Sequence, residues 1–335
     1  MTAVAPQTSG SVFDRIRGQG PAIETMVRAL VAGRVHHAYR FEGPAGVGKE
    51  KAAFALAQSL VCTTGGALGC GKCSACQRAV RIADADPAVP QHPDVVLLGR
   101  GLYPAAALGT PSRETTGIGV EQIRRLVLSR TGFPPHEGRA LVFIVREAEE
   151  LTQQAANALL KTLEEPAQRT HFILLTSRPN RLLDTIRSRT LPVRFGPLPV
   201  AVVASILEEH GKSTEHAEAA EGSAAAALEL SDEDASRARA EFVQGALDAA
   251  SAVALDGAIV FAQTRPNERG DLRQNLLALS QQLAHDARHA LADDGTRAVT
   301  AARRYALVVE TLDAIDRNGQ PGLALEAMIA RFRNA

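Results

Sequence analysis

Leu141–Leu191 reads LVFIVREAEELTQQAANALLKTLEEPAQRTHFILLTSRPNRLLDTIRSRTL, and its pattern decides the fold. Two apolar runs, Leu141–Val145 and Phe172–Thr176, are rich in β-branched residues and have strand length. Between them Ala155, Ala156, Leu159, Leu160 and Leu163 recur at helical spacing, and Pro166 ends the pattern. A second helix is expected over Arg181–Arg187, closing on Ser188-Arg189-Thr190. Continuous apolar strands alternating with helices predict a parallel sheet covered on both faces. In such sheets chemistry gathers beyond the carboxyl ends of the strands. Arg146-Glu147 and Thr176-Ser177 therefore fall on the functional rim, and Arg189 lies past a helix end, where it can point away from its own core.

Upstream, a short strand expected over Ala38–Phe41 runs into Gly43-Pro44-Ala45-Gly46-Val47-Gly48-Lys49-Glu50, and a helix continues to Leu60. The octet is the G-x-x-x-x-G-K phosphate loop with Glu50 where Ser or Thr belongs. Gly43, Gly46 and Gly48 let backbone N–H groups cradle an anion at a helix N-terminus, and Lys49 reaches for the β- and γ-phosphates. Position 50 should offer Mg²⁺ a hydroxyl, and the strand ending at Val145 should be followed by an Asp that helps hold the ion. Glu50 and Arg146 stand at these places instead. A carboxylate beside phosphates costs on the order of 4 kcal/mol per charge pair at about 4 Å and an effective dielectric near 20. Because both halves of the metal site have changed together, Glu50 and Arg146 are expected to pair and plug the Mg²⁺ position, and ATP is not expected to be hydrolysed.

Cys62, Cys70, Cys73 and Cys76 follow as C-x7-C-x2-C-x2-C. Four thiolates at this spacing predict a tetrahedral structural zinc site with no position left for catalysis. His92-Pro93-Asp94 reads as a turn before the strand Val95–Leu98, residues 99–117 as a long exposed loop, and Ile118–Arg130 as a helix. From Pro197 onward the pattern is helical, with candidates at Val200–His210, Ala217–Leu230, Arg237–Val253, Asp271–Ala292, Arg297–Arg317 and Leu323–Arg333.

The chain has 335 residues, more than one ordinary core, with 45% hydrophobic and 22% charged residues. Charges balance, 37 against 37, so it is not built to grip DNA by itself, and a zinc-containing DNA-binding module becomes the weaker alternative. No apolar run reaches the ~18 residues of a membrane span. The opening MTAVAPQTSGS lacks the marks of a secretory signal. Clustered cysteines suit a reducing, cytoplasmic setting.

Taken together, His37-Ala38-Tyr39 before the P-loop, the four-cysteine insertion, His92-Pro93-Asp94, Ala156–Pro166 (ANALLKTLEEP) and Ser188-Arg189 resemble the bacterial clamp-loader family of AAA+ proteins. The similarity is concentrated in residues 13–195. It implies an α/β AAA+ P-loop-type domain over 1–196 carrying the zinc module at 62–76, a helical lid over 197–234 and an all-α collar over 235–335. Clamp loaders are rings that use ATP to open a sliding clamp and close it on primed DNA. The resemblance implies gamma/tau and delta subunits as partners, with clamp and DNA reached through the complex. Within the family the degenerate loop fits the stator, which does not hydrolyse ATP but presents the arginine of a Ser-Arg-Cys motif to a neighbour's ATP. Here that motif reads Ser188-Arg189-Thr190, which makes Arg189 the candidate catalytic residue, acting in trans. The alternative is the gamma/tau motor. Motors carry Gly-Ser-x-Arg in the lid, whereas this chain has Gly222-Ser223-Ala224-Ala225.

Overall fold

A computed structural model of the chain describes residues 10–64, 66–113, 117–251, 260–261, 269–291, 295–316 and 320–332. It divides into two compact units, residues 1–228 and 229–335.

The first unit is built on a five-stranded, all-parallel sheet in the order β2-β3-β4-β1-β5. The strands are β1 (Ala38–Glu42), β2 (Val95–Leu98), β3 (Leu141–Val145), β4 (Thr170–Thr176) and β5 (Leu191–Arg194). Alternation along each strand feeds two cores. Tyr39, Phe41, Val142, Ile144, Ile173 and Leu175 pack towards helices α1 (Gly20–Val31) and α2 (Lys49–Val61). Ala38, Leu141, Phe143, Val145, Phe172 and Leu174 face the other side. There lie the 120–128 helix and the helices Gln153–Glu164 and Asp184–Arg187. This is the α/β AAA+ arrangement. Both faces are covered, which is why the strands read as continuous apolar runs.

β5 is absent from the sequence expectation. It is short, contains Pro192 and buries only Val193, as suits an edge strand whose outer N–H groups need no partner. The helix expected over Arg181–Arg187 is interrupted. A 3₁₀ turn at Pro179–Arg181 gives way to an extended Leu182, buried at 6% exposure, and helix resumes only at Asp184–Arg187. Residues 99–117 are not simply an exposed loop. Ala105–Leu108 is a short helix that buries Leu108, and the buried Tyr103 hydroxyl donates to the Leu97 carbonyl at 2.7 Å. Residues 114–116 of that stretch lie outside the described residues. The helix expected over Ile118–Arg130 is α-helical at Val120–Gln122 and widens to a π-helix at Ile123–Leu128.

Two further helices of this unit, Val200–Glu209 and the start of Ala224–Leu230, pack around Leu198, Val203, Leu207 and Ala227. Among its described residues the second unit is all-α: Glu233–Ser251, Arg269–Ala290, Gly295–Asp316 and Pro321–Phe332 surround Phe242, Leu276, Leu279, Val308, Ile329 and Phe332. The end of the helix expected over Arg237–Val253 lies outside the described residues. No helix among the described residues is long and apolar enough to cross a membrane.

Candidate functional site: a closed phosphate loop, a cysteine cluster and a half-buried arginine

The loop Gly43–Gly48 leaves β1 and enters α2, so its N–H groups gather at a helix N-terminus. Gly43 passes so close to β5 that a Cβ would stand 2.1 Å from the Phe195 carbonyl oxygen. At Gly46, whose φ is +75°, a Cβ would meet Ser223 Oγ at 2.1 Å and Ala225 Cβ at 2.8 Å. The Gly222-Ser223-Ala224-Ala225 segment therefore lies directly on the loop, and Ala224 N donates to the Gly46 carbonyl at 3.1 Å. Beside it opens a cavity of about 620 Å³ whose lining includes Ile16, Val47, Lys49, Glu50, Arg146, Thr176 and Leu198.

Lys49 is buried, and its ammonium donates to the loop's own carbonyls, Gly43 O at 2.6 Å and Pro44 O at 2.5 Å. Burial pushes its pKa down to about 8, against the opposing pull of Glu149. Across the mouth, Arg146 Nε donates to Glu50 Oε2 at 3.0 Å and Nη2 to Oε1 at 2.5 Å. This two-point pair joins the position of the missing hydroxyl to the position of the missing Asp. Both side chains are near 40% exposed, so the pair contributes little to stability. Its consequence is local: the two groups that should hold a cation instead neutralise each other.

Gln19 matches no motif in the sequence, and only the fold reveals its role. Buried at the start of α1, it donates to Val47 O at 3.1 Å and Gly196 O at 2.8 Å and accepts from Gly196 N at 3.2 Å. It ties the loop to the segment that leads into helix Val200–Glu209.

Cys62 ends α2, while Cys73 and Cys76 open the helix Ser74–Val80, which brings the four cysteines together. All four sulfurs lie within 4.8 Å of one another, with Cys62–Cys73 at 3.9 Å and Cys70–Cys76 at 4.0 Å. Four sulfurs at about 2.3 Å from one ion would stand roughly 3.8 Å apart, so the set fits a tetrahedral metal. The Thr64 hydroxyl and the Lys72 and Cys73 N–H groups hold the Cys70 thiol down at about 7. Burial opposes ionisation of Cys73, but hydrogen bonds from the N–H groups of Cys76 and Thr63 and from the Thr64 and Cys76 side chains together outweigh it and bring the thiol to about 5.

Side chains outside the cluster fix it to α2 and to the loop that precedes β3. Gln58 donates to Cys76 O at 2.8 Å, and Arg78 grips Glu137 with bonds of 2.7 and 2.6 Å. Asp94, at the turn before β2, accepts from the N–H groups of His136, Glu137 and Gly138 at 2.6, 2.8 and 2.7 Å. Burial alone would raise its pKa; the three donors prevail and lower it.

Arg189 lies on a different surface. Its Nη1 donates to Thr185 O at 2.9 Å and Ser188 Oγ at 3.2 Å, and its Nη2 pairs with Glu164 Oε1 at 2.5 Å. It thus caps its own helix and leans on the preceding one rather than pointing freely outward. A second cavity of about 620 Å³, lined by His36, His37, Glu164, Ser188 and Arg189 among others, lies against the guanidinium. The structure does not bring Arg189 to the P-loop cavity of its own chain.

A P-loop fold of the AAA+ class with a neutralised metal position, and with an arginine paired to Glu164 on a separate surface of the domain, is the class defined by this geometry. Residues 18–199 match the family described as DNA polymerase III, delta subunit, and the chain belongs to that family. It is 35% identical over 217 residues to DNA polymerase III subunit delta' of Pseudomonas aeruginosa, covering 62% of this chain and 60% of that one. It is 39% identical over 204 residues to DNA polymerase III subunit gamma/tau of Mycobacterium tuberculosis, covering 59% of this chain and 32% of that one. A solved gamma-subunit-related protein of Thermotoga maritima is similar over 93% of this chain and 99% of that chain, at 19% identity and TM-score 0.48. The match thus spans about a third of the mycobacterial relative and three-fifths of the Pseudomonas one.

Proposed function

We propose that this chain is the delta-prime, stator-type subunit of a DNA polymerase III clamp loader. It supports ATP-dependent loading of a sliding clamp onto primed DNA without hydrolysing ATP itself. The observation that carries this reading is the two-point Glu50–Arg146 pair, which occupies with mutually neutralising groups the place where a motor holds Mg²⁺. The same cavity is lined at its lid by Ala225, where motors of the family carry an arginine.

Identity to gamma/tau relatives is the observation on the side of a motor. The residues that bear the chemistry weigh against it, because identity spread over the scaffold says nothing about three positions at the metal and the γ-phosphate. In the ring, Arg189 serves as the arginine finger. It presents its guanidinium to ATP held by a neighbouring gamma/tau subunit and stabilises charge that develops on the transferred phosphoryl group. Gly43, Gly46, Gly48 and Lys49 serve as a structural corner rather than a working cradle. The partners are gamma/tau and delta, with clamp and primed DNA reached through the complex.

The metal held by Cys62, Cys70, Cys73 and Cys76 is zinc. Four sulfur ligands saturate a tetrahedral ion, so it crosslinks the module and takes no part in turnover. The domain plan is a P-loop-type domain over 1–196, a lid over 197–234 and a collar over 235–335.

The decisive test measures ATP turnover by the purified chain, alone and then assembled with gamma/tau and delta. Negligible turnover alone and full turnover in the assembly are expected. A rate from the isolated chain comparable to that of the assembly would make it a motor.

A further inference from the structure

β1 carries an anomaly that neither the phosphate loop nor the cysteine cluster accounts for. Arg40 sits in the middle of this strand at 6% exposure, on the same face as Ala38 and towards the second core. The position suits an apolar side chain. Replacing a buried ion pair with packed apolar residues is often neutral or stabilising, so the fold itself does not demand a cation there.

Its three partners show what it does hold. Nε donates to Glu42 Oε1 at 2.5 Å, and Nη1 donates to the Arg187 carbonyl at 2.8 Å and to Thr190 Oγ1 at 2.7 Å. Thr190 Oγ1 in turn donates to the Ile186 carbonyl at 2.9 Å. The buried guanidinium therefore grips the chain immediately before and immediately after Ser188-Arg189. Thr190 is also where this sequence departs from Ser-Arg-Cys. A hydroxyl can accept from Arg40 and donate to Ile186 at once, whereas a thiol is weak in both roles.

We propose that Arg40 and Thr190 are positioning residues for Arg189: the buried Arg40–Glu42–Thr190 cluster fixes the backbone on either side of the arginine and sets where its guanidinium meets a neighbour's phosphate. This rests on the trans-acting reading of Arg189. Arg40 touches no nucleotide; it acts through the ledge it holds, and the displacement that loosening permits is of the size that costs turnover steeply.

The test uses the clamp loader assembled from this chain, gamma/tau and delta. Thr190→Val keeps the shape and removes the hydroxyl. It should lower the assembly's kcat between about three-fold and ten-fold, leave the KM for ATP within about two-fold, and speed amide exchange at Ser188–Thr190 about ten-fold. Thr190→Ser, which retains the hydroxyl, should behave as the parent. Arg40→Met combined with Glu42→Gln avoids stranding a buried carboxylate and should show the same kcat loss. In an Arg189→Ala background, Thr190→Val should cause no additional loss. The proposal is overturned if Arg189→Ala slows the assembly while Thr190→Val does not, or if Thr190→Val still slows it when Arg189 is already gone. Should Arg189→Ala leave turnover intact, the trans-arginine reading fails and this one falls with it.

Discussion

The phosphate-loop cavity and the Arg189 ledge belong to the same domain and have kept opposite things. The cavity keeps its shape: the loop leaves β1, the glycines make their close approaches, and Gln19 and the Ser223–Ala225 segment close around them. Its charges, however, are consumed internally, Lys49 on Gly43 and Pro44 and Arg146 on Glu50. The ledge keeps an arginine whose one carboxylate partner, Glu164, is half-exposed and comes from another helix, while Arg40 holds the backbone on either side of it. The contrast teaches that a P-loop's backbone and its chemistry are separable. The backbone is required to pack α2 against the sheet, whatever happens to the ion.

That contrast makes Arg189→Ala the largest expected effect. Turnover of the assembled loader should fall by about three orders of magnitude, while Lys49→Ala should leave it within about two-fold. Equal losses from the two would erase the distinction between ledge and cavity. Next in size, Cys73→Ser should abolish binding of about one metal ion per chain and lower the melting temperature by several degrees, while changing turnover far less than Arg189→Ala does. Metal content unaffected by the substitution would remove the cysteine cluster as its site.

Smaller again is Asp94→Asn, expected to cost about 1–3 kcal/mol because it removes the charge that three backbone N–H groups bind. The sign with pH is fixed: the folded pKa is lowered, so this stability is present above the ordinary carboxylate range and lost as pH falls through the folded value. The variant should flatten that part of the acid-unfolding curve, and an unchanged curve would dismiss Asp94 as an anchor. The smallest effect belongs to Arg146→Ala. With both partners near 40% exposed, it should alter stability by no more than about 1 kcal/mol and leave the isolated chain without ATP turnover. A gain of turnover would show that the pair alone had silenced the site.

Much of the fold is legible in the sequence. Val95–Leu98 and Leu141–Val145 stand where their apolar runs put them, because strands buried on both faces must be apolar throughout. The ion pair was foreshadowed because two complementary departures from one motif suggest a physical link. β5 was invisible because an edge strand with one buried residue leaves no pattern. The buried Tyr103 and Leu108 are hidden in a loop-like pattern because Gly, Pro and Ser around them outweigh a single helical turn. The anchoring roles of Arg40, Gln19 and Asp94 leave no mark in the sequence for a shared reason. Each acts on backbone groups far away in sequence, and a backbone carbonyl or N–H carries no letter in the sequence.

By itself, then, the amino-acid sequence determined the alternation of strand and helix, the phosphate loop and its two replaced positions, and the spacing of the four cysteines. These are local matters of periodicity and side-chain type. Tertiary structure alone decided that Lys49 turns back on its own loop, that Arg189 rests against Glu164, and that a strand arginine grips the chain on both sides of it. Such pairings join residues up to 150 positions apart, and only the folded sheet brings their atoms within hydrogen-bonding distance.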